Sequence, residues 1–403
     1  MSLTLTWHGK ESAELVGRTR ALCYAPASRD IATYQERLAN DPRVVADDLL
    51  LAHRDATPVG TATSYPMTMW IRGHPFPCQG VRYVGTTNTS RRSGGVASQI
   101  MNEVLRRARQ RQQVLSALFP FRASFYEHFG YGLVERRATW TIPLSALPTG
   151  SSDGFEFLQD ADDARHACRQ RMVRSGQCDV ERTPGMWTHW TRQEDEGFVV
   201  GHRQADRSLS SWFTWSLDTR DDKSIVEVDD LAFDSPQSLL RGLQFFGTLR
   251  DQYSSLRLTL PADFQLNRLL RESQVPRRAA SHPAATARLF TRLQVRILDH
   301  PRLINHLHLP HNQRGSVVVA IHETEGTTST FKIEFDATRT HASESTSPPD
   351  IECPDRHWSA IVLGDLPATR AAEMGLIKVH HPPALPLLET FATAPAPFCN
   401  ESF

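Results

Sequence analysis

At 403 residues the chain is too long for one ordinary hydrophobic core, and its length predicts two or three domains. Hydrophobic residues at 40% and charged residues at 22% are the proportions of a soluble globular protein, and no apolar stretch is long enough to span a membrane. Net charge is zero, but residues 1–146 hold 18 Lys plus Arg against 11 Asp plus Glu; this excess suits a polyphosphate ligand, and no DNA-reading motif accompanies it, which excludes nucleic acid.

The opening residues 1–10 lack the apolar core of a signal peptide. Cys23, Cys78, Cys168, Cys178, Cys353 and Cys399 are scattered without a Cys-x-x-Cys pair. Neither a metal cluster nor a disulfide framework is expected, and a reducing cytoplasm is the expected compartment. Gly80 to Thr86 is rich in β-branched and aromatic residues and predicts a strand. Thr89 to Val96 follows as a basic, glycine-containing loop. Beyond it, Val96, Ile100, Val104 and Ala108 recur at helical spacing, with Met101 and Leu105 beside them, predicting an amphipathic helix to about Gln112. Its N-terminus at Ser93-Gly94-Gly95 offers free N–H groups and a positive dipole end to a pyrophosphate. Arg91 and Arg92 add fork-shaped cations for phosphate oxygens. Gln113 to Phe119 predicts another strand, and Pro120 leads into a short helix carrying Tyr126 before a Phe129-Gly130-Tyr131-Gly132 turn. His128, between Phe125 and Phe129, is expected in a structural role on a helix packed against the core.

The turn-rich segment 143–154 closes a first domain, taken as residues 1–146. A second domain, 147–288, contains a predicted strand at 224–231, a helix at 238–250 and a strand at 256–260, with Trp212 and Trp215 as core. No Arg-x-x-Gly loop lies between that strand and helix, so no cofactor is expected there. In the third region, 289–403, strands are predicted at 316–321, 330–336 and 358–363, with a loop at 343–349. His306, His308 and His311, near His300, have a spacing a metal could use, but no carboxylate or cysteine pattern completes a site. The alternation with leucine suits a solvated strand face, and no metal is expected. His380-His381 reads as turn chemistry.

The strand, loop and helix of residues 80–112 resemble the Arg/Gln-x-x-Gly-x-Gly/Ala pyrophosphate loop of the GCN5-related N-acetyltransferases, with Val96 departing from the pattern. Tyr126 ahead of Phe-Gly-Tyr-Gly, together with a terminal Phe403, resembles the enhanced intracellular survival (Eis) family of these enzymes. Arg296-Ile297-Leu298-Asp299, Leu363-Gly364-Asp365 and Ala371 to Ile377 resemble later segments of that family.

The resemblance implies an α/β (α+β) fold class: two tandem acetyltransferase folds, only the first catalytic, then a sterol-carrier-like α+β domain that presents the C-terminus. It implies acetyl-CoA or another acyl-CoA as co-substrate, no metal, and a small-molecule, aminoglycoside-like or peptide amine as acceptor. Tyr126 would be the proton donor and the Phe403 carboxylate the proton acceptor. Val84, Gly85 and Thr86, then Arg91, Arg92, Ser93, Gly94, Gly95, Val96 and Ala97, then Phe121 and Arg122, would hold the donor. The acceptor pocket is expected from residues 24–38, Trp70 to Phe76 and the C-terminal tail, with Asp30, Glu36 and Glu401 available to a cationic substrate. A homohexamer is expected from the same resemblance. The alternative is an inactive relative whose third domain binds a lipid or a partner.

Overall fold

In a computed structural model, the structure describes residues 3–24, 27–91, 95–158, 163–191, 198–218, 224–277, 280–309 and 312–403. The first elements are β1 (Leu3–His8), α1 (Ala13–Tyr24), α2 (Ser28–Ala39), β2 (Leu49–Arg54), β3 (Thr57–Ile71) and β4 (His74–Thr86). Strands β1 to β4 form an antiparallel meander, closed between β3 and β4 by a two-residue turn with positive φ at Arg72 and Gly73. The predicted helix is α3 (Val96–Gln110), which buries Val96, Ile100, Met101, Val104, Leu105 and Ala108 as its periodicity requires. It crosses over to β5 (Leu115–Leu118), which pairs with β4 in parallel. Next come α4 (Ala123–Glu127) and β6 (Gly132–Leu133).

The chain then leaves this sheet. β7 (Arg136–Pro143) belongs to a second sheet, with β8 (Phe155–Phe157), α5 (Asp163–Ser175), β9 (Asp179–Val180), α6 (Pro184–Thr191), β10 (Phe198–Arg203) and β11 (Leu209–Asp218) following. β12 (Ile225–Phe233), α7 (Pro236–Gly247) and β13 (Ser255–Pro261) repeat the parallel crossover of β4, α3 and β5. Ser235 caps α7 by accepting from the Ser238 amide, and Leu239, Leu243 and Phe246 are buried beneath it. Trp212 and Trp215 are buried in this half of the molecule. β14 (Gln274–Arg277) and β15 (Ala280–Pro283) pair with each other. β16 (Thr286–Thr291) then completes the second sheet, whose order is β16-β7-β13-β12-β11-β10-β8.

β17 (Gln294–Ile297) returns to the first sheet, whose order is β1-β2-β3-β4-β5-β17-β6, with β9 also on β3. Sheet membership therefore crosses both expected boundaries: β7 lies before residue 146 and β17 after residue 289. The last region contains α8 (His300–Ile304), β18 (Gly315–His322), β19 (Thr328–Phe335), β20 (Thr340–Glu344), β21 (Ile351–Pro354), α9 (Asp355–Val362), α10 (Ala368–Glu373), β22 (Lys378–Val379) and α11 (Ala384–Ala392). Its sheet runs β20-β19-β18-β21-β22. The expected strand at 358–363 is instead part of α9. Trp358, Ile361 and Val362 fall at i, i+3 and i+4 and are all fully buried, a helical spacing hidden inside a short apolar run.

One hydrophobic core joins the first sheet to this last region, including Leu115, Val295, Val319, Trp358, Phe391 and Phe403. Buried Arg72 fastens the same junction, donating to the carbonyls of Phe391 (2.8 Å), Val362 (3.0 Å) and Ala392 (3.0 Å). Among the described residues, no helix is long and apolar enough to cross a membrane.

Candidate active site

β4 pairs with β5 only where Cys78–Val81 face Leu115–Leu118. Beyond Val81 it continues to Thr86 along β3 alone, so the two parallel strands end in an open wedge. A register shift between Thr61 and Thr63 lies opposite this point, and Tyr83 has φ of 55°. Such a bulge bends a strand and re-aims its side chains. Val81 and Val84 both join the cluster around Val96 and Ile100 of α3. Gly85, by contrast, lies against Cys23 and Tyr24 of α1, and the Tyr24 hydroxyl donates to the Val84 carbonyl at 2.7 Å. Val84, Gly85 and Thr86 thus occupy the lip of the wedge, where among the described residues no strand covers their β5 side.

Helix α3 opens towards this wedge. Gly95 is its N-cap, with φ of 65° in the left-handed region that glycine enters without steric cost. Among the described residues no side chain caps the first turn, an arrangement in which helix amides can receive an anion. Val96 is buried and Ala97 half-buried behind it. Arg91 is exposed and donates to the Cys23 carbonyl at 3.3 Å. Arg92, Ser93 and Gly94 lie outside the described residues.

The segment leaving β5 carries the aromatic residues. Phe121 is 76% exposed and Arg122 is exposed, whereas Tyr126 is 5% exposed. The Tyr126 ring meets Phe121 edge-on at 5.9 Å, Phe125 at 5.0 Å and Tyr131 at 6.2 Å. Burial pushes its pKa up to about 12. Tyr131 is fully buried, its hydroxyl 2.6 Å from Ser116 Oγ. The glycine after it is a packing requirement, since a Cβ on Gly132 would lie 1.9 Å from the carbonyl oxygen of Arg356 in α9. His128 is exposed rather than packed on the core; its Nδ1 contacts the Ser124 carbonyl at 2.6 Å, closing the short helix.

Phe403 reaches the same place from the far end of the chain. It is 3% exposed; its ring lies 4.6 Å from that of Phe119 and fills the space a side chain on Gly80 would take. Arg292 covers the other partner of this stack, 4.1 Å from the Phe119 ring. The residues before Phe403 are held by both sheets. The Cys399 amide donates to Glu135 (2.9 Å), and the Asn400 amide donates to Asp179 (3.0 Å). The Asn400 side chain donates to Asp230 (2.9 Å) and the Leu231 carbonyl (3.2 Å). Glu401 is not available to a cationic substrate as expected: it is 1% exposed and accepts from Arg182 and Trp190, each at 2.5 Å. Burial works to raise its pKa, but Arg182 and then Arg169 outweigh it and hold the carboxyl below its ordinary value. β12 and β13 also pair over only three positions before parting, and Asn400 sits where their wedge opens. The second wedge is therefore occupied by the chain's own tail.

Two family models, each described as an acetyltransferase (GNAT) domain, match residues 11–134 and 178–297. The chain belongs to the GNAT acetyltransferases. No curated protein matches it by sequence. Among solved structures, it shares its fold with a GCN5-related N-acetyltransferase from Anabaena variabilis (TM-score 0.86, 16% identity, 100% of both chains covered). Eis1 from Mycobacterium abscessus superposes with a TM-score of 0.80 at 18% identity over 100% of both chains. A GCN5-related N-acetyltransferase from Kribbella flavida gives 0.77 at 18% identity, covering 100% of this chain and 98% of its own. The fold is thus Eis-like, a mixed α/β chain with two tandem GNAT domains.

In this GNAT acetyltransferase one pocket lies beside the wedge. Tyr34 and Leu38 line it, within the expected 24–38 segment, but Asp30 and Glu36 do not. Trp70 to Phe76 lies elsewhere: Trp70 bonds Glu181 at 2.9 Å, and Ile71 and Phe76 are core. The contributions of Arg20, Arg43, Arg82 and Tyr83 were not legible, because isolated arginines in a sequence look like solvated surface. His306 lies in a turn after α8, not on a strand, 4.8 Å from the His74 ring; His311 is outside the described residues. Glu323, Glu325 and Asp355 gather within 4.8 Å of one another, yet Arg296 and Arg109 pair with Glu325, and Thr324 occupies Asp355.

Proposed function

We propose that the protein is an acyl-CoA-dependent N-acyltransferase acting on a primary amine, with one active site in the first wedge. The observation that carries this reading is that Phe119 and Phe121, two residues apart at the end of β5, contact Phe403 and Tyr126 respectively. A phenol and the chain's last residue are thereby brought to one strand end. The surroundings fit a CoA donor: a helix start uncapped among the described residues, an open strand edge and an exposed Phe121.

Bound acyl-CoA supplies an activated acyl thioester. Arg91 to Ala97 would hold its pyrophosphate, and Phe121 and Arg122 would border its pantetheine arm. Backbone N–H groups of Val84 to Thr86 would orient and polarise the thioester carbonyl. An amine must lose a proton before or during attack, and the α-carboxylate of Phe403, ionised at neutral pH, would accept it. Burial of the Phe403 ring fixes where that carboxylate stands. Tyr126 would protonate the departing sulfur. Its raised pKa keeps the phenol neutral and able to donate. The second domain, its wedge filled by Asn400, would bind no donor, and the third region would present the tail.

CoA release from acetyl-CoA, measured against a panel of amines, tests the reaction. A C-terminal extension that converts the Phe403 carboxylate to an amide should sharply lower turnover while leaving thermal stabilisation by CoA nearly intact. An N-terminal tag should have no effect. A fully active C-terminally extended enzyme would remove Phe403 as the base.

A further inference from the structure

On the α1 side of β4 lies a pocket of about 430 Å³, bounded by α1, α2, the bulged end of β4 and His189 of α6. Among the described residues lining it, Arg20, Arg37, Arg43 and Arg82 are cationic and Asp41 is the one carboxylate. Asp41 is already taken, accepting from Arg43 Nε at 2.9 Å and Nη2 at 2.7 Å. Arg20 is 3% exposed and Arg43 8%. Arg20 stacks over the Tyr83 ring at 4.2 Å, and Arg82 lies over the same ring at 4.8 Å. The left-handed Tyr83 is what brings these two guanidinium groups together.

Their hydrogen-bonding is incomplete. Among the described residues, Arg20 Nε, Arg43 Nη1 and Arg82 Nη1 are buried and have no acceptor. Buried donors on cations are costly to leave unmade, and three of them at one pocket amount to a prepared anion site. Guanidinium forks match carboxylate and phosphate oxygens. The pocket also adjoins the proposed chemistry: Arg82 lies two residues beyond Gly80, against which the Phe403 ring packs, and Tyr83 precedes Val84. His189 reports the same field: burial first, then Arg43, pushes its pKa down to about 4.

We propose that the acceptor carries an anionic group, carboxylate or phosphate, alongside its primary amine, and that Arg20, Arg43 and Arg82 hold that group with Arg37 at the exposed side. This rests on reading the wedge as an N-acyltransferase site. It narrows the acceptor away from polycationic amines, which four arginines repel.

The test uses the full chain with acetyl-CoA and four matched amines: ε-aminocaproate, its neutral amide, aminopropylphosphonate and cadaverine. At least one of the two anions should show kcat/KM at least about tenfold above the amide, with cadaverine slowest. The faster anion identifies the group the pocket takes. Arg82→Gln and the exposed Arg37→Gln should each narrow the ratio of anion to amide, through KM. An amide or cadaverine turned over as well as both anions, or a ratio untouched by either substitution, overturns the anion assignment and leaves the acyltransferase reading standing. No CoA release with any amine, together with no thermal stabilisation by acetyl-CoA, overturns the acyltransferase reading itself.

Discussion

Tyr126 is the residue on which the proposed chemistry turns, and its surroundings make it separable from its packing. The ring is enclosed by Phe121, Phe125 and Tyr131. Tyr126→Phe should therefore preserve folding and CoA affinity while turnover falls by about 10²–10⁴, the usual contribution of a general acid. Steady-state kinetics beside a CoA-binding titration checks this; near-normal turnover would make Tyr126 a packed aromatic only. The pH dependence follows from the neutral phenol being the active form. An ordinary phenol loses its proton near about pH 10, but burial moves this one to about 12. The wild-type kcat should accordingly show no alkaline fall up to about pH 10.5, since the acid is lost only as pH rises through the shifted value. A fall centred near about pH 9 that vanishes in Tyr126→Phe would contradict this.

At the scale of elements, the turn after α4 is shaped by a helix more than 200 residues later in the chain. α9 places the Arg356 carbonyl where a Cβ on Gly132 would be, and backbone cannot yield as a flexible side chain can. Gly132→Ala should cost about 1–3 kcal/mol, read as a lower urea midpoint. An unchanged midpoint would show that α9 does not dock so closely. The Phe-Gly-Tyr-Gly pattern was legible in the sequence; its cause was not, since Arg356 carries no signal of where its backbone lies. The same asymmetry runs through the molecule. α3 declared itself by six apolar residues at helical spacing, and α7 by its similar stripe. α9 did not, because Trp358 to Leu363 has the length of a strand, and the short apolar run masks the helical spacing of Trp358, Ile361 and Val362. Arg20, Arg43 and Arg82 were invisible as a group because only the bulge at Tyr83 and the packing of α1 and α2 unite them.

At the scale of the whole molecule, the two larger sheets are not successive beads on a string. β7 joins the second sheet before the second unit begins, β17 returns to the first, and the tail from Phe398 to Phe403 runs between them. We propose the homohexamer only as the expectation carried by the sequence resemblance. The exposed, neighbouring Phe157 and Phe198 are 72% and 45% accessible with rings 6.0 Å apart, an apolar surface that such an assembly would cover. Light scattering should give six times the chain mass, and a monomer at micromolar concentration would remove the proposal. The tail has a different consequence. Because residues 398–403 are held by Glu135, Asp179, Arg182 and Asp230, a chain ending at Pro397 should behave as a receptor with the missing hexapeptide as its ligand. Synthetic Phe-Cys-Asn-Glu-Ser-Phe added to that shortened protein should restore acyl transfer saturably. The same peptide with an amidated end should compete for the groove and raise the melting temperature without restoring turnover.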